Sequence, residues 1–168
     1  MIAVGIGDLK VSAVREETLV TYGLGSCMGI TIWDPVSRVA GILHFMLPES
    51  QSDLARAKDN PALYADTGIP LLFKSAYQIG AEKKRLLVRV AGGAQVLDGK
   101  GVFNIGRRNY LAMKKIFWKA GVMIHAEEVG SNVSRTLRLE VGSGKLLLQE
   151  AGAGAEAEAR ELGLPRWA

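Results

Sequence analysis

Cysteine is almost absent from this 168-residue chain: Cys27 is its single example. One cysteine excludes an intramolecular disulfide and a cysteine-cluster metal site. Histidine is nearly as scarce, His44 and His125 being the two. A dedicated zinc site is therefore not expected, and the expectation is no metal and no cofactor. Long apolar runs are also missing. The longest, Val39–Leu47, carries a histidine and falls far short of the roughly 20 residues that span a bilayer. Met1–Lys10 lacks the basic and apolar segments of a signal peptide, so the chain reads as cytoplasmic, without membrane insertion. The densest basic clusters are only Lys83-Lys84-Arg85 and Arg107-Arg108, and aromatics are 7% of residues. With a net charge of +4, this pattern does not favour nucleic acid; an acidic protein surface is as compatible a partner. Gly92-Gly93 and Gly99–Gly101 occur, but no phosphate-binding glycine pattern does, which argues against a nucleotide site.

What is present is an ordinary globular mixture, 48% hydrophobic and 23% charged, at a length suited to one domain. Ile2–Ile6, Thr18–Leu24 and Met28–Trp33 are rich in Val, Ile, Thr and aromatics and read as strands. Val39–Leu47 is apolar in both alternating sets apart from His44, which predicts a strand covered on both faces. Polar Glu49–Ala65 reads as a long surface loop. Ile69, Leu72, Phe73 and Ala76 have helical spacing. Pro70 belongs in a first turn, so Thr67 or Asp66 should cap that helix and Gly80 should end it. Arg85–Val90 reads as a strand. Asn104 should cap a second helix, which Gly121 closes and whose apolar stripe contains Asn109. Val122–Val129 and Arg135–Val141 read as strands, the latter forming a hairpin with Lys145–Gln149. Residues 1–149 thus form one mixed α/β domain of about eight strands and two main helices. Residues 150–168, rich in Ala, Gly and Glu, read as a tail, partly helical at most and outside the core.

Three features could carry chemistry. Gly23-Leu24-Gly25-Ser26-Cys27 is a turn able to present a thiol at a sheet edge. A nucleophilic cysteine needs such access and a neighbour that stabilises the thiolate. A lone cysteine also packs commonly as a small hydrophobe, and both readings stand. His44 interrupts an apolar strand. It is either a core histidine bonded to backbone or the general base for Cys27, since successive strands are often neighbours. His125, with more polar flanks, is the lower-ranked competitor. Thr21, Asp34 and Asn109 are polar groups that could orient a histidine. Asn109 reads better as a bond to loop backbone.

The order of the motifs is more specific than any one of them. Gly23-Leu24-Gly25-Ser26-Cys27 precedes His44-Phe45-Met46-Leu47-Pro48 and Tyr64-Ala65-Asp66-Thr67. Ala91-Gly92-Gly93-Ala94, Asn104-Ile105-Gly106-Arg107-Arg108-Asn109 and Gly130-Ser131-Asn132 with Arg135 follow. Across residues 1–149 this series resembles the chemoreceptor glutamine deamidase family, CheD. The resemblance implies a single-domain, mixed-sheet α/β sandwich of the CheD-like cysteine hydrolase type, related in site arrangement to deamidating toxins of the cytotoxic necrotizing factor kind. It implies a protein-glutamine glutaminase in which Cys27 is the nucleophile, His44 the general base and Thr21 the group orienting the histidine. It further implies chemoreceptor cytoplasmic helices as substrate, a CheC-type phosphatase as partner, and no cofactor. A non-catalytic or dual-use binding module for that phosphatase, or a deamidase of another protein, is the alternative. Two positions depart from the family pattern: Ser131 stands where a second glycine is usual, and Pro70 lies in a helix normally free of proline.

Overall fold

The computed structural model describes residues 1–95, 104–152, 155–156 and 158–164. Its strands are β1 (Ile2–Ala3), β2 (Asp8–Ser12), β3 (Thr18–Leu24), β4 (Met28–Trp33), β5 (Ala40–Phe45), β6 (Leu87–Gly92), β7 (Ala126–Val129), β8 (Ser134–Glu140), β9 (Leu146–Gly152), β10 (Ala155–Glu156) and β11 (Arg160–Glu161). Its α-helices are α1 (Leu54–Asp59), α2 (Ala65–Gln78) and α3 (Ile105–Ala120). One sheet has the order β2-β5-β4-β6-β7; the other has the order β1-β3-β8-β9-β10, with β11 also on β9. β1 runs parallel to β3 and β6 to β7, while the other pairs are antiparallel.

The layering follows from the apolar content of β4 and β5. Every residue of both strands is buried, so their sheet must be covered twice. On one face Ile30, Ile32, Leu43 and Phe45 pack with Leu72 and Phe73 of α2 and Met113 and Phe117 of α3. On the other face Ala40 and Ile42 meet Leu19, Leu137, Leu139 and Leu148 of the second sheet. Each such leucine or isoleucine contributes about 1.5–3 kcal/mol by leaving water. The result is the mixed α/β sandwich expected from the sequence.

Several elements differ from expectation. Asp8–Ser12, unread in the sequence, pairs with β5 as an edge strand. The 49–65 loop contains α1, capped by the Asp53 carboxylate on the Arg56 N–H, and short 3-10 turns at Ser50–Ser52 and Pro61–Leu63. The helix α2 starts one turn before Pro70 could begin it, with Tyr64 as its N-cap. Burial of Tyr64, Ala65 and Ile69 outweighs the proline's lost donor. The two expected caps face backward instead: Thr67 Oγ1 donates to Pro61 O, and the Asp66 carboxylate accepts from Ser50 N and Oγ. Asn104 does not cap α3, because it is left-handed at φ 40° and a capping side chain needs extended backbone. Its Oδ1 accepts from Gln95 Nε2. Gly121, also left-handed, ends α3 as expected.

The terminal segment is not wholly outside the core. β11 pairs with Leu147 and Leu148 of β9. Leu162 is buried between the layers, its N–H donating to Leu146 O. Arg89, buried in β6, donates to the carbonyls of Leu162 and Gly144. An apolar side chain immediately after a short charged strand is what the Ala/Gly/Glu composition concealed. Gly99–Gly101 lie outside the described residues.

Candidate functional site

Thr21 and His44 meet where the two sheets face each other, and Cys27 lies on the same face of the β4–β5 ladder. Strand alternation points His44 toward the second sheet together with Ala40 and Ile42. Thr21 lies on the inward face of β3 with Leu19, and both are fully buried. Across this interface Thr21 Oγ1 and His44 Nδ1 are 2.8 Å apart. The hydroxyl has one proton, and it goes to Val4 O at 2.7 Å. Thr21 can then only accept from the ring, so the proton of neutral His44 sits on Nδ1. Nε2 is left as a bare lone pair, buried and without a hydrogen-bond partner among the described residues. Burial holds the imidazole pKa down at about 4, so the ring is neutral at physiological pH.

Cys27 immediately precedes β4. Gly29 pairs with His44 and Met28 with Phe45, so Cys27 is a diagonal neighbour of His44 on the same face, a relation of roughly 7–8 Å between Cα atoms. Gly29 itself is filled over: a Cβ there would lie 2.7 Å from Leu24 Cδ1. Cys27 is 8% exposed. Burial pushes its thiol pKa up, and its own backbone N–H pulls the other way.

The turn holding Cys27 is tied from three sides. Ala94 N–H donates to Gly25 O and Gly93 N–H to Cys27 O. Asn109 Nδ2 donates to Ser26 O and also to Met46 O, both at 2.9 Å. Gly92, at φ 120°, permits this contact, since a Cβ there would lie 2.1 Å from Cys27 O. Buried Arg135 secures the shoulder from behind, donating to Gly130 O and Gly92 O while its Nε meets Glu150. Gly23 is left-handed as the turn chemistry suggests, and the β3–β8 register shifts across it. Ser131 is left-handed as well, at φ 63°, which supplies a physical reason for glycine at that place. A surface cleft of about 250 Å³, lined by Gly93, Gln95, Asn104, Arg107 and Ser131 among others, adjoins this shoulder.

The other candidates lie elsewhere. His125 bonds Val88 twice, through its backbone N–H and through Nδ1, and lines a separate cavity. Asp34 accepts from Val36, Ser37 and Glu82 N–H groups and pairs with Arg85 at 2.8 Å. Burial pushes its pKa up, but Arg85 and the backbone donors outweigh this and hold it well below the usual carboxylate range. It braces a turn rather than the histidine. Asn109 bonds loop backbone as read, but it joins two loops instead of one. Arg135 was not singled out as a brace. The signal was available, because Arg135 shares the inward alternation of Leu137 and Leu139.

Comparison with known proteins places the chain in a family. The family model described as CheD chemotactic sensory transduction matches residues 46–150. The chain belongs to the CheD family. A probable chemoreceptor glutamine deamidase CheD from Solibacter usitatus (strain Ellin6076) is 51% identical over 151 residues, 90% of this chain and 89% of the relative. A probable chemoreceptor glutamine deamidase CheD 1 from Syntrophus aciditrophicus (strain SB) is 48% identical over 151 residues, 90% of this chain and 94% of its own. The chemoreceptor glutamine deamidase CheD of Thermotoga maritima (strain ATCC 43589 / DSM 3109 / JCM 10099 / NBRC 100826 / MSB8) is 37% identical over 159 residues, 95% of this chain and 98% of its own. Spans of such length take in Thr21, Cys27 and His44 wherever they begin, whereas the family-model match starts beyond them. The expected enzyme class, a protein-glutamine glutaminase of chemotaxis, agrees with the names of these relatives. Among the described residues no helix is long and apolar enough to cross a membrane.

Proposed function

We propose that this chain deamidates glutamine side chains of chemoreceptor cytoplasmic helices, with Cys27 as nucleophile, His44 as general base and Thr21 as the group that orients the base. The observation that carries this reading is the Thr21–His44 hydrogen bond. With the Thr21 proton committed to Val4 O, Nε2 is the basic nitrogen, and it lies on the face that Cys27 shares. The resting pair is a neutral thiol beside a neutral imidazole, since burial raises one pKa and lowers the other. Proton transfer to His44 accompanies attack of sulfur on the carboxamide carbon. Backbone N–H groups, that of Cys27 among them, hold the oxyanion. The tetrahedral adduct collapses to a thioester as His44 returns the proton to departing ammonia. Water then adds, giving its proton to His44, and glutamate is released with the thiol restored. Each turnover places one negative charge on a receptor helix, a local electrostatic switch. The deamidase unit is residues 1–149 with the segment around Leu162 packed onto its core, and the chemistry uses no metal or organic cofactor and takes place in the cytoplasm.

Incubation with receptor cytoplasmic domains followed by mass spectrometry tests the reading. Specific glutamines should gain about one dalton with the native chain and with His125→Ala. They should gain nothing with folded Cys27→Ala or His44→Ala. Full activity in folded Cys27→Ala would refute the assignment. A second reading, docking of a CheC-type phosphatase with little catalysis, is favoured by the 8% exposure of Cys27. Iodoacetamide distinguishes the two readings. A thiol that stays unlabelled at neutral pH even with receptor present supports docking alone.

A further inference from the structure

Building on the deamidase reading, we propose that Asn109 is a positioning residue that aims the Cys27 N–H, the oxyanion donor, through the Ser26–Cys27 peptide. Asn109 Nδ2 donates to Ser26 O at 2.9 Å. The peptide is planar and trans, so its carbonyl and the Cys27 N–H point in opposite directions. Holding one end of this rigid unit therefore sets the direction of the other. The same hydrogen bond polarises the peptide and strengthens its N–H as a donor. That N–H faces the Cys27 sulfur, where it lowers the thiol pKa against the effect of burial.

Among the described residues the neighbouring peptides are held by backbone: Gly25 O by Ala94 N–H and Cys27 O by Gly93 N–H. Among the described residues, Ser26 O is the carbonyl of this turn that accepts from a side chain. The second proton of Asn109 Nδ2 reaches Met46 O, two residues past His44. One amide thus spans the end of the base-bearing strand and the nucleophile turn. Asn109 is fully buried, and its Oδ1 has no partner among the described residues. A purely structural asparagine would be expected to satisfy that oxygen as well. Here the two carbonyls dictate the amide orientation, and Oδ1 is left unpaired as the consequence.

The test uses Asn109→Ala and Asn109→Asp in the full chain. The aspartate variant keeps the shape if the alanine cavity unfolds the protein. Three quantities are read in folded protein: kcat and KM for a receptor domain, the pH profile of Cys27 alkylation by iodoacetamide, and the Cys27 amide ¹H–¹⁵N shift. Losing one oxyanion donor lowers kcat by about 10²–10³-fold. Misaiming it should cost at least about tenfold in kcat with KM unchanged within about twofold. The alkylation profile should move to higher pH, and the Cys27 amide proton should move upfield as its peptide loses the hydrogen bond. A folded variant with native kcat, alkylation profile and amide shift overturns the proposal, even if its melting temperature has fallen. Alkylation and the amide shift need no substrate. A shifted profile without receptor deamidation by the native chain would therefore leave the aiming role standing and count against the deamidase reading.

Discussion

Burial of His44 should make the protein lose stability in a defined acid window. In the unfolded chain His44 titrates at the ordinary value near 6.5; in the fold it titrates at about 4. Between these values the unfolded state carries a proton that the folded state does not. Stability from this group is complete above about pH 6.5 and falls as the pH drops toward 4. The slope is about 1.4 kcal/mol per pH unit, and the full loss is about 3 kcal/mol. Against a typical domain stability of about 5–15 kcal/mol, that is a large share. The depressed His125 pKa adds in the same direction, so the effect must be isolated by comparison. Urea unfolding of the native chain and of His44→Gln, from about pH 7.5 to about pH 4.5, makes that comparison. The native chain should lose about 3 kcal/mol more than the variant across the window. NMR adds a direct reading, because only two histidines exist: the His44 Cε1 proton should not move until near pH 4. Parallel stability curves, or a His44 midpoint near 6.5, would refute the dry, singly anchored histidine.

Other perturbations read other parts of the site. Thr21→Val removes the acceptor of His44 Nδ1–H and the donor to Val4 O; it should cost about 2–4 kcal/mol. The same variant should lower deamidation at least about 10²-fold, with ¹⁵N shifts showing the ring tautomer no longer fixed. Gly92→Ala should destabilise the fold by more than about 3 kcal/mol, because its Cβ would sit 2.1 Å from Cys27 O at a φ that side chains avoid. Circular-dichroism melts check this. Asp34→Ala strands three backbone N–H groups and Arg85 and should cost about 2–4 kcal/mol. Cys27 alkylation in its folded fraction should remain native.

How much of this was readable in the sequence depended on whether the signal was local. β4 was legible as a strand from its Ile, Thr and Trp content and β5 because both its alternating sets are apolar apart from His44, and burial of every residue there is the outcome. Cys27 and His44 stood out for a related reason: each is a reactive group in an otherwise apolar or glycine-rich stretch. Thr21 was not legible in this way. Threonine is at home in strands, and only the hydrogen bond across two sheets distinguishes this one. The 49–65 segment looked like loop because its helix is a single capped piece, too short for apolar periodicity to register. The α2 start was misplaced because proline chemistry is local, whereas the burial of Tyr64 and Ala65 is tertiary. The terminal segment was misjudged on composition, which cannot reveal that buried Arg89 waits for the Leu162 carbonyl.

The dispersed glycine motifs gain a common explanation once these contacts are combined. Gly92 and Gly93 are adjacent to the Cys27 turn in space, and a Cβ on Gly106 would lie 2.5 Å from both Gly93 O and Ala94 O. The first turn of α3 therefore sits directly on the shoulder that holds Cys27 O, and one turn later Asn109 reaches Ser26. A side chain at any of these glycines would lift the helix or the shoulder away. The lift would move a hydrogen bond that holds the nucleophile turn before it touched the nucleophile itself. The spacing of glycines along the chain is thus a record of which backbones must nearly touch. That explains why the ordered series of motifs was more informative than the reactive residues considered one at a time.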